Sequence, residues 1–130
     1  MIFGVGIDIL EAQRVTKAWR RFGDRFAAKL LMPEELALFS KQKRPERFLA
    51  MRFAAKEAVV KAMGTGFAHG MWLKDSGVIP NRHGRPQIVF SERGQAKCDE
   101  LGIGDGHLTL SDEAGLVVAV AILMKTGGNN

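Results

Sequence analysis

The segment Phe48–Met63, FLAMRFAAKEAVVKAM, is apolar on nearly every side. A helix of that kind has no face to give to water, so the rest of the chain must be built around it. The pattern predicts a helix from about Pro45 to Met63, stopped by Gly64 as its C-cap. Four charges interrupt it: Arg52, Lys56, Glu57 and Lys61. With ~100° per residue, Glu57 and Lys61 lie about 40° apart on one face, and Arg52 sits about 140° away. A carboxylate and an ammonium on a mostly buried helix are costly unless they are paired or given a ligand. Two readings stand open at this point. One is a plain i,i+4 pair of Glu57 with Lys61, worth a few tenths of a kcal/mol; the other is a ligand site.

Two neighbours favour the ligand site. Gly64-Thr65-Gly66 follows the helix as a small-residue loop able to present backbone N–H groups to a phosphate. Asp8 lies near the end of a strand predicted over Ile2–Leu10, with Phe3, Val5, Ile7 and Ile9 on one face and Gly4, Gly6 and Asp8 on the other. Two glycines on one face let another backbone or a ligand come close. Two carboxylates, completed by phosphate oxygens and waters, suit Mg²⁺, which rarely takes an all-protein cage. Asp8 and Glu57 are the candidate ligands, and Lys61 can neutralise a phosphate beside the metal. The loop is not a Walker motif, because it follows its helix and no G-x-x-x-x-G-K precedes one.

Elsewhere the pattern is helical from Glu11 to Lys41, broken near Gly23 and Pro33. Strands are predicted over Trp72–Ile79 and Pro86–Phe90, around a turn at Asn81–Gly84. A helix follows over Ser91–Leu101, then an antiparallel pair, His107–Ser111 and Leu116–Met124, and a frayed tail from Gly127 to Asn130. Strands without regular βα alternation give an α+β fold: antiparallel strands packed with one long buried helix, in a single domain spanning residues 1–130. The lone cysteine, Cys98, excludes an internal disulfide and a cysteine-based zinc cluster. The apolar stretch near Leu116–Met124 is about half the length that spans a bilayer. The N-terminus lacks a positive n-region and reaches Asp8 too soon for a signal peptide, so a soluble cytoplasmic protein is expected, with no membrane partner.

The net charge of +5 is local in origin. Residues 14–61 hold thirteen of the nineteen basic groups and five acids, a net +8, while residues 1–13 carry −2 and residues 62–130 carry −1. Such a stretch fits a solvated surface, a phosphate-bearing substrate, an acidic protein or nucleic acid.

GIDI at Gly6–Ile9, Arg14 six residues after Asp8, RFAAKEAVVKAMGTG at Arg52–Gly66 and HLTLSDE at His107–Glu113 together cover nearly the whole chain. In these motifs the sequence resembles the holo-acyl-carrier-protein synthases, the small bacterial-type phosphopantetheinyl transferases. The resemblance implies that coenzyme A gives its phosphopantetheine arm to a serine of apo acyl carrier protein, leaving adenosine 3′,5′-bisphosphate, in fatty acid biosynthesis. It implies Mg²⁺ on Asp8 and Glu57, with Lys61 near the pyrophosphate and Asp8, Glu57 and Lys61 as the catalytic set. Glu57, or a water it orients, is the candidate acceptor of the serine proton. Lys43, Arg44, Arg52, Lys61, Gly64, Thr65, Gly66 and His107 are implied to bind coenzyme A. Arg14, Arg21 and Arg25 are implied to receive the acidic carrier. Known members are homotrimers with active sites between subunits. Asp112 stands where some members carry a second histidine, which leaves the metal ligands untouched.

A basic nucleic-acid-binding module is the rival from another class. Against it, the chain has no tyrosine, and its phenylalanines sit in apolar helical patterns without forming a stacking platform. No nucleic-acid partner is expected. A transferase serving polyketide or peptide-synthetase carriers is the rival within the enzyme class. His69, His83, Cys98, Trp19, Trp72 and the methionines read as structural.

Overall fold

The computed structural model describes residues 1–127; the remainder of the expected tail, 128–130, lies outside the described residues. In chain order the elements are β1 (Ile2–Glu11), α1 (Ala12–Phe22), α2 (Asp24–Leu30), α3 (Pro33–Phe39), α4 (Pro45–Met63), a 3-10 turn (Leu73–Asp75), β2 (Ser76–Pro80), β3 (Pro86–Phe90), α5 (Glu92–Leu101), β4 (Ile103–Glu113) and β5 (Leu116–Lys125). β1, β5 and β4 form one antiparallel sheet in that order, and β2 and β3 form a separate hairpin. The architecture is α+β, with α4 at its centre. Its Leu49, Ala50, Ala54, Ala55 and Ala58 are wholly enclosed. The helix touches β1, β5, α1 and β2 and is open to solvent at Lys61. It ends as the sequence predicts, at Gly64 in the left-handed region with φ 81°.

Two rows of small residues set how β1 meets α4. A Cβ on Gly4 would run into the carbonyl oxygen of Ala62, and one on Gly6 into that of Ala58. The glycine face of β1 therefore lies directly on the helix. Strand alternation then turns the other face outward. Val5, Ile7 and Ile9 are 57%, 54% and 64% exposed. Cross-strand pairing extends that outward face as Val5–Ile122–His107, Ile7–Val120–Thr109 and Ile9–Val118–Ser111. The sheet has a covered inner face and an open one that is apolar along β1 and β5 and polar along β4.

Several boundaries differ from the sequence reading. Trp72–Asp75 is no strand: the Asp75 Oδ2 accepts the Trp72 N–H at 2.9 Å, the chain curls into a 3-10 turn, and β2 begins at Ser76. β4 begins at Ile103 rather than His107. The run Gly104-Asp105-Gly106 hid its start, because the strand passes there through a register shift against β5. The helical stretch 11–41 breaks where expected, at Gly23 and before Pro33. Ser91 is the cap of α5, its hydroxyl accepting the Gly94 N–H at 3.0 Å.

The Gly6–Ala58 contact is backbone on backbone and cannot be relieved by a rotamer change. Gly6→Ala should therefore cost about 2–3 kcal/mol, at the upper end of ordinary overpacking. Urea unfolding at fixed protein concentration measures this, and an unchanged midpoint would contradict the packing described.

Candidate active site

The β1–α4 contact delivers Asp8 to the exposed side of the helix. The Lys61 Nζ donates to the Asp8 Oδ1 at 3.2 Å and to the Ile7 carbonyl at 3.1 Å. The i,i+4 pair of Glu57 with Lys61 is not among the ion pairs of the described residues; Lys61 reaches across to the strand instead. Asp8, Glu57 and Arg14 line one cavity of about 330 Å³, with Val15, Phe26 and Phe53 as apolar walls. Asp8, bonded to Lys61, and Glu57 thus share one recess.

Burial, and then the nearby Asp8 carboxylate, hold the Glu57 carboxyl above its ordinary value, while Lys61 and Arg14 pull it the other way. Two carboxylates thus stand with two cations, Lys61 bonded to Asp8 and Arg14 on the cavity wall. Among the described residues no group of three or more His, Cys, Asp or Glu is placed to hold a metal. The donor set is a pair of hard oxygen ligands with room for others, which fits Mg²⁺ sharing its shell with phosphates and water.

On another side of α4, Lys43, Arg44 and Arg52 line a second cavity of about 830 Å³, together with Lys41, Arg47 and Arg85. Its floor includes Phe48, and the Arg52 guanidinium lies 4.1 Å over that ring. Burial lowers the Arg52 pKa, and the Glu35 carboxylate opposes the shift. His107 lines a neighbouring cavity of about 550 Å³ that shares Arg85, Pro86 and Leu108 with the larger one. Arg14 and Arg21 are exposed on α1, and Arg25 is exposed on α2 rather than on the first helix.

The Gly64-Thr65-Gly66 loop corrects one expectation. Its three N–H groups all donate to the Val60 carbonyl, at 3.1, 3.2 and 3.2 Å. They cap the C-terminus of α4, whose carbonyls need donors, and are not turned outward as a phosphate cradle. The Thr65 hydroxyl donates to the Gly66 carbonyl at 2.8 Å.

Three residues carry more than their sequence positions announced. Lys56 and Glu35 are fully buried and paired at 2.8 Å. The signal was available for Lys56, since no acid lies three or four residues away on α4 and a buried ammonium must then find its partner elsewhere. Asp112 accepts two bonds from Arg47, from Nε and Nη2, both at 2.8 Å. That fork holds the Asp112 carboxyl below the usual range.

The raised Glu57 gives a pH-dependent stability in the metal-free chain. As pH rises through the ordinary glutamate value, the unfolded chain releases the proton first and the folded chain keeps it. The folded state binds more protons across that window, so stability falls with rising pH. Glu57→Gln removes the loss. Its thermal midpoint should gain on the unsubstituted chain as pH is raised from about 4 to 7, whereas a constant difference would mean that Glu57 titrates normally.

Comparison with known proteins places the chain in a family. Residues 4–121 match the model of the 4′-phosphopantetheinyl transferase superfamily. A holo-[acyl-carrier-protein] synthase of Nitrosospira multiformis is 42% identical over 125 residues, covering 96% of this chain and all of that relative. The crystal structure of holo-[acyl-carrier-protein] synthase from Neisseria meningitidis superposes with a TM-score of 0.92 at 36% identity, covering 96% of this chain and 100% of that one. The Helicobacter pylori synthase, solved in complex with coenzyme A, gives 0.80 at 28% identity, over 92% and 98% of the two chains. By its motifs, its fold and these matches, the chain belongs to the holo-[acyl-carrier-protein] synthase family of the 4′-phosphopantetheinyl transferase superfamily.

Proposed function

We propose that this protein transfers the 4′-phosphopantetheine arm of coenzyme A to a serine of apo acyl carrier protein, releasing adenosine 3′,5′-bisphosphate, in the cytoplasm and in service of fatty acid biosynthesis. The observation that carries the reading is the gathering of Asp8, Glu57 and Arg14 around one cavity, with Lys61 bonded to Asp8. Coenzyme A in the complexes of the Helicobacter pylori and Bacillus anthracis synthases supports the donor.

Transfer of this kind needs charge neutralisation and in-line positioning more than covalent help from the protein. Asp8 and Glu57 are the residues that would hold Mg²⁺, which when bound neutralises charge on the pyrophosphate and orients it. Lys61, steered by Asp8, adds a cation at the same place. Glu57 takes the serine proton, directly or through a water it orients. The serine oxygen forms its bond to the phosphorus bearing pantetheine, and the bond from that phosphorus to the adenosine bisphosphate breaks. Lys43, Arg44 and Arg52 receive the nucleotide phosphates, with His107 at the neighbouring wall. Gly64, Thr65 and Gly66 enter this reading through their motif, with Thr65 the one side chain among them. Arg14, with Arg21 and Arg25 farther out, meets the acidic carrier, and its place beside Glu57 lets a docked serine approach the carboxylates.

The active assembly in this reading is a homotrimer. Two features support it. The apolar outer face of β1 and β5 is larger than scattered surface residues explain, and such faces mark protein contacts. The cations and the carboxylate pair also line different cavities on different sides of α4, an arrangement in which one copy's cations can meet another copy's carboxylates.

Apo acyl carrier protein incubated with enzyme, coenzyme A and Mg²⁺ should gain the mass of one phosphopantetheine arm. Asp8→Ala and Glu57→Ala should each reduce transfer by about 100-fold or more while circular dichroism is unchanged; full activity in either, with a chelator present, refutes the metal assignment. Arg14→Ala should raise KM for the carrier about tenfold and leave KM for coenzyme A alone. Val120→Glu, at the middle of the open sheet face, should give a folded monomer by light scattering with little activity. A fully active monomer would rule out a shared site.

A further inference from the structure

The Glu35–Lys56 pair takes part in no step of the transfer. Its two side chains are 0% exposed. Buried ion pairs are poor devices for stability, because well-packed apolar residues often serve as well or better. This pair also joins four elements, α3, α4, the 3-10 turn and β2. The Glu35 Oε1 accepts from the Lys56 Nζ at 2.8 Å and from the Met32 N–H at 3.0 Å, and Oε2 accepts from the Val78 N–H at 2.9 Å. Lys56 donates as well to the carbonyls of Leu73, at 2.9 Å, and Ser76. All three of its donors are therefore engaged. β2 passes tightly over the pair: a Cβ on Gly77 would stand 2.6 Å from the Met32 Sδ and 2.8 Å from the Glu35 Cδ.

The third charge beside the pair is Arg52. Its Nε lies 3.7 Å from the Glu35 Oε2 without forming a hydrogen bond, and its Nη2 donates to the Val78 carbonyl at 3.1 Å. Phe48 lies against the face of its guanidinium. The group is thus steered by Glu35 but not consumed by it, since the Glu35 oxygens already hold shorter partners. Lys56 cancels the Glu35 charge, so the trio of two cations and one anion delivers a net +1. Arg52, Val78 and the hairpin residues Pro80, Arg85 and Pro86 all line the 830 Å³ basic cavity. The pair fastens two walls of that cavity, α4 and the β2–β3 hairpin, at one point.

We propose that Glu35 is a positioning residue for coenzyme A binding: anchored by Lys56, its buried carboxylate holds the Arg52 guanidinium in place at the basic cavity. The inference rests on the reading of Arg52 as a contact to the nucleotide phosphates. An arginine without this hold must be ordered by the ligand at each binding event, which weakens affinity.

The test is a double-mutant cycle read by coenzyme A affinity in the presence of Mg²⁺. Because Glu35→Gln alone strands the Lys56 charge, the variant is Glu35→Gln combined with Lys56→Met. It should weaken coenzyme A binding about tenfold and have less than about a twofold effect once Arg52→Ala is present. KM for coenzyme A should rise while KM for the carrier stays unchanged. An equal loss in both Arg52 backgrounds means that the pair acts only on the fold, and the proposal fails. If Arg52→Ala weakens binding but the pair variant does not, positioning fails and the phosphate reading stands. If Arg52→Ala itself changes nothing, the phosphate reading falls and takes the inference with it. Should the pair variant not fold, Glu35→Asp, which keeps the charge and draws it back by one methylene, enters the same cycle with the same expected outcomes.

Discussion

The close approach of β1 to α4 is the constraint on which the rest depends. Glycines at 4 and 6 against alanines at 58 and 62 remove the side-chain layer that normally separates a strand from a helix. Three consequences follow from that one contact. Asp8, two residues beyond Gly6 on the same face, comes within reach of Lys61. The helix, already flanked by α1 and β2, is covered along the row of Ala58 and Ala62 as well. The large apolar residues of β1 must face away, because alternation leaves them nowhere else to go. A carboxylate site and an apolar open face are thus two results of the same packing.

Much of this was legible in the sequence, and the parts that were not have physical reasons. An apolar pattern on every side of 48–63 has one structural meaning, and Gly64 ends it, so α4 was readable to the residue. β1 was readable as a strand, but its inward face was not. Hydrophobic alternation normally points the apolar side into the core, and here the glycines go in and the valine and isoleucines go out. Only the demand that something approach Gly4 and Gly6 closely hinted at it. The i,i+4 arithmetic for Glu57 and Lys61 was correct in angle and gave the wrong partner, since helical spacing says nothing about a strand lying alongside. The turn at 72–75 was lost because it is closed locally by two bonds between Trp72 and Asp75, one backbone and one to the Asp75 carboxylate, that hydrophobic alternation does not register.

Charge sorted itself in the same way. The +8 stretch from 14 to 61 reads in sequence as one block, yet the fold distributes it. Arg14, Arg21 and Arg25 lie out on the first two helices, Arg52 is drawn into the floor of a cavity, and Lys56 is swallowed whole. Glu35, which the sequence presents as an ordinary acid in a first helical turn, is the anion that lets Lys56 and Arg52 sit so deep. Its role is invisible locally because its partners come from α4 and β2, far along the chain.

The fork between Arg47 and Asp112 has a further meaning for what the basic cavity can select. Arg47 lines that cavity, but its Nε and Nη2 are held by a carboxylate from β4. Arg52 is likewise steered from behind by Glu35. A wall of free cations behaves like an ion-exchange resin and takes up polyanions indiscriminately. A wall on which some cations are clamped in advance offers positive charge only at fixed, sparse points, and an anion must match their spacing to benefit. The two acids thereby set where the cavity's charge stands: Asp112 takes up Arg47, Glu35 keeps Arg52 in place, and an anion must fit what is left.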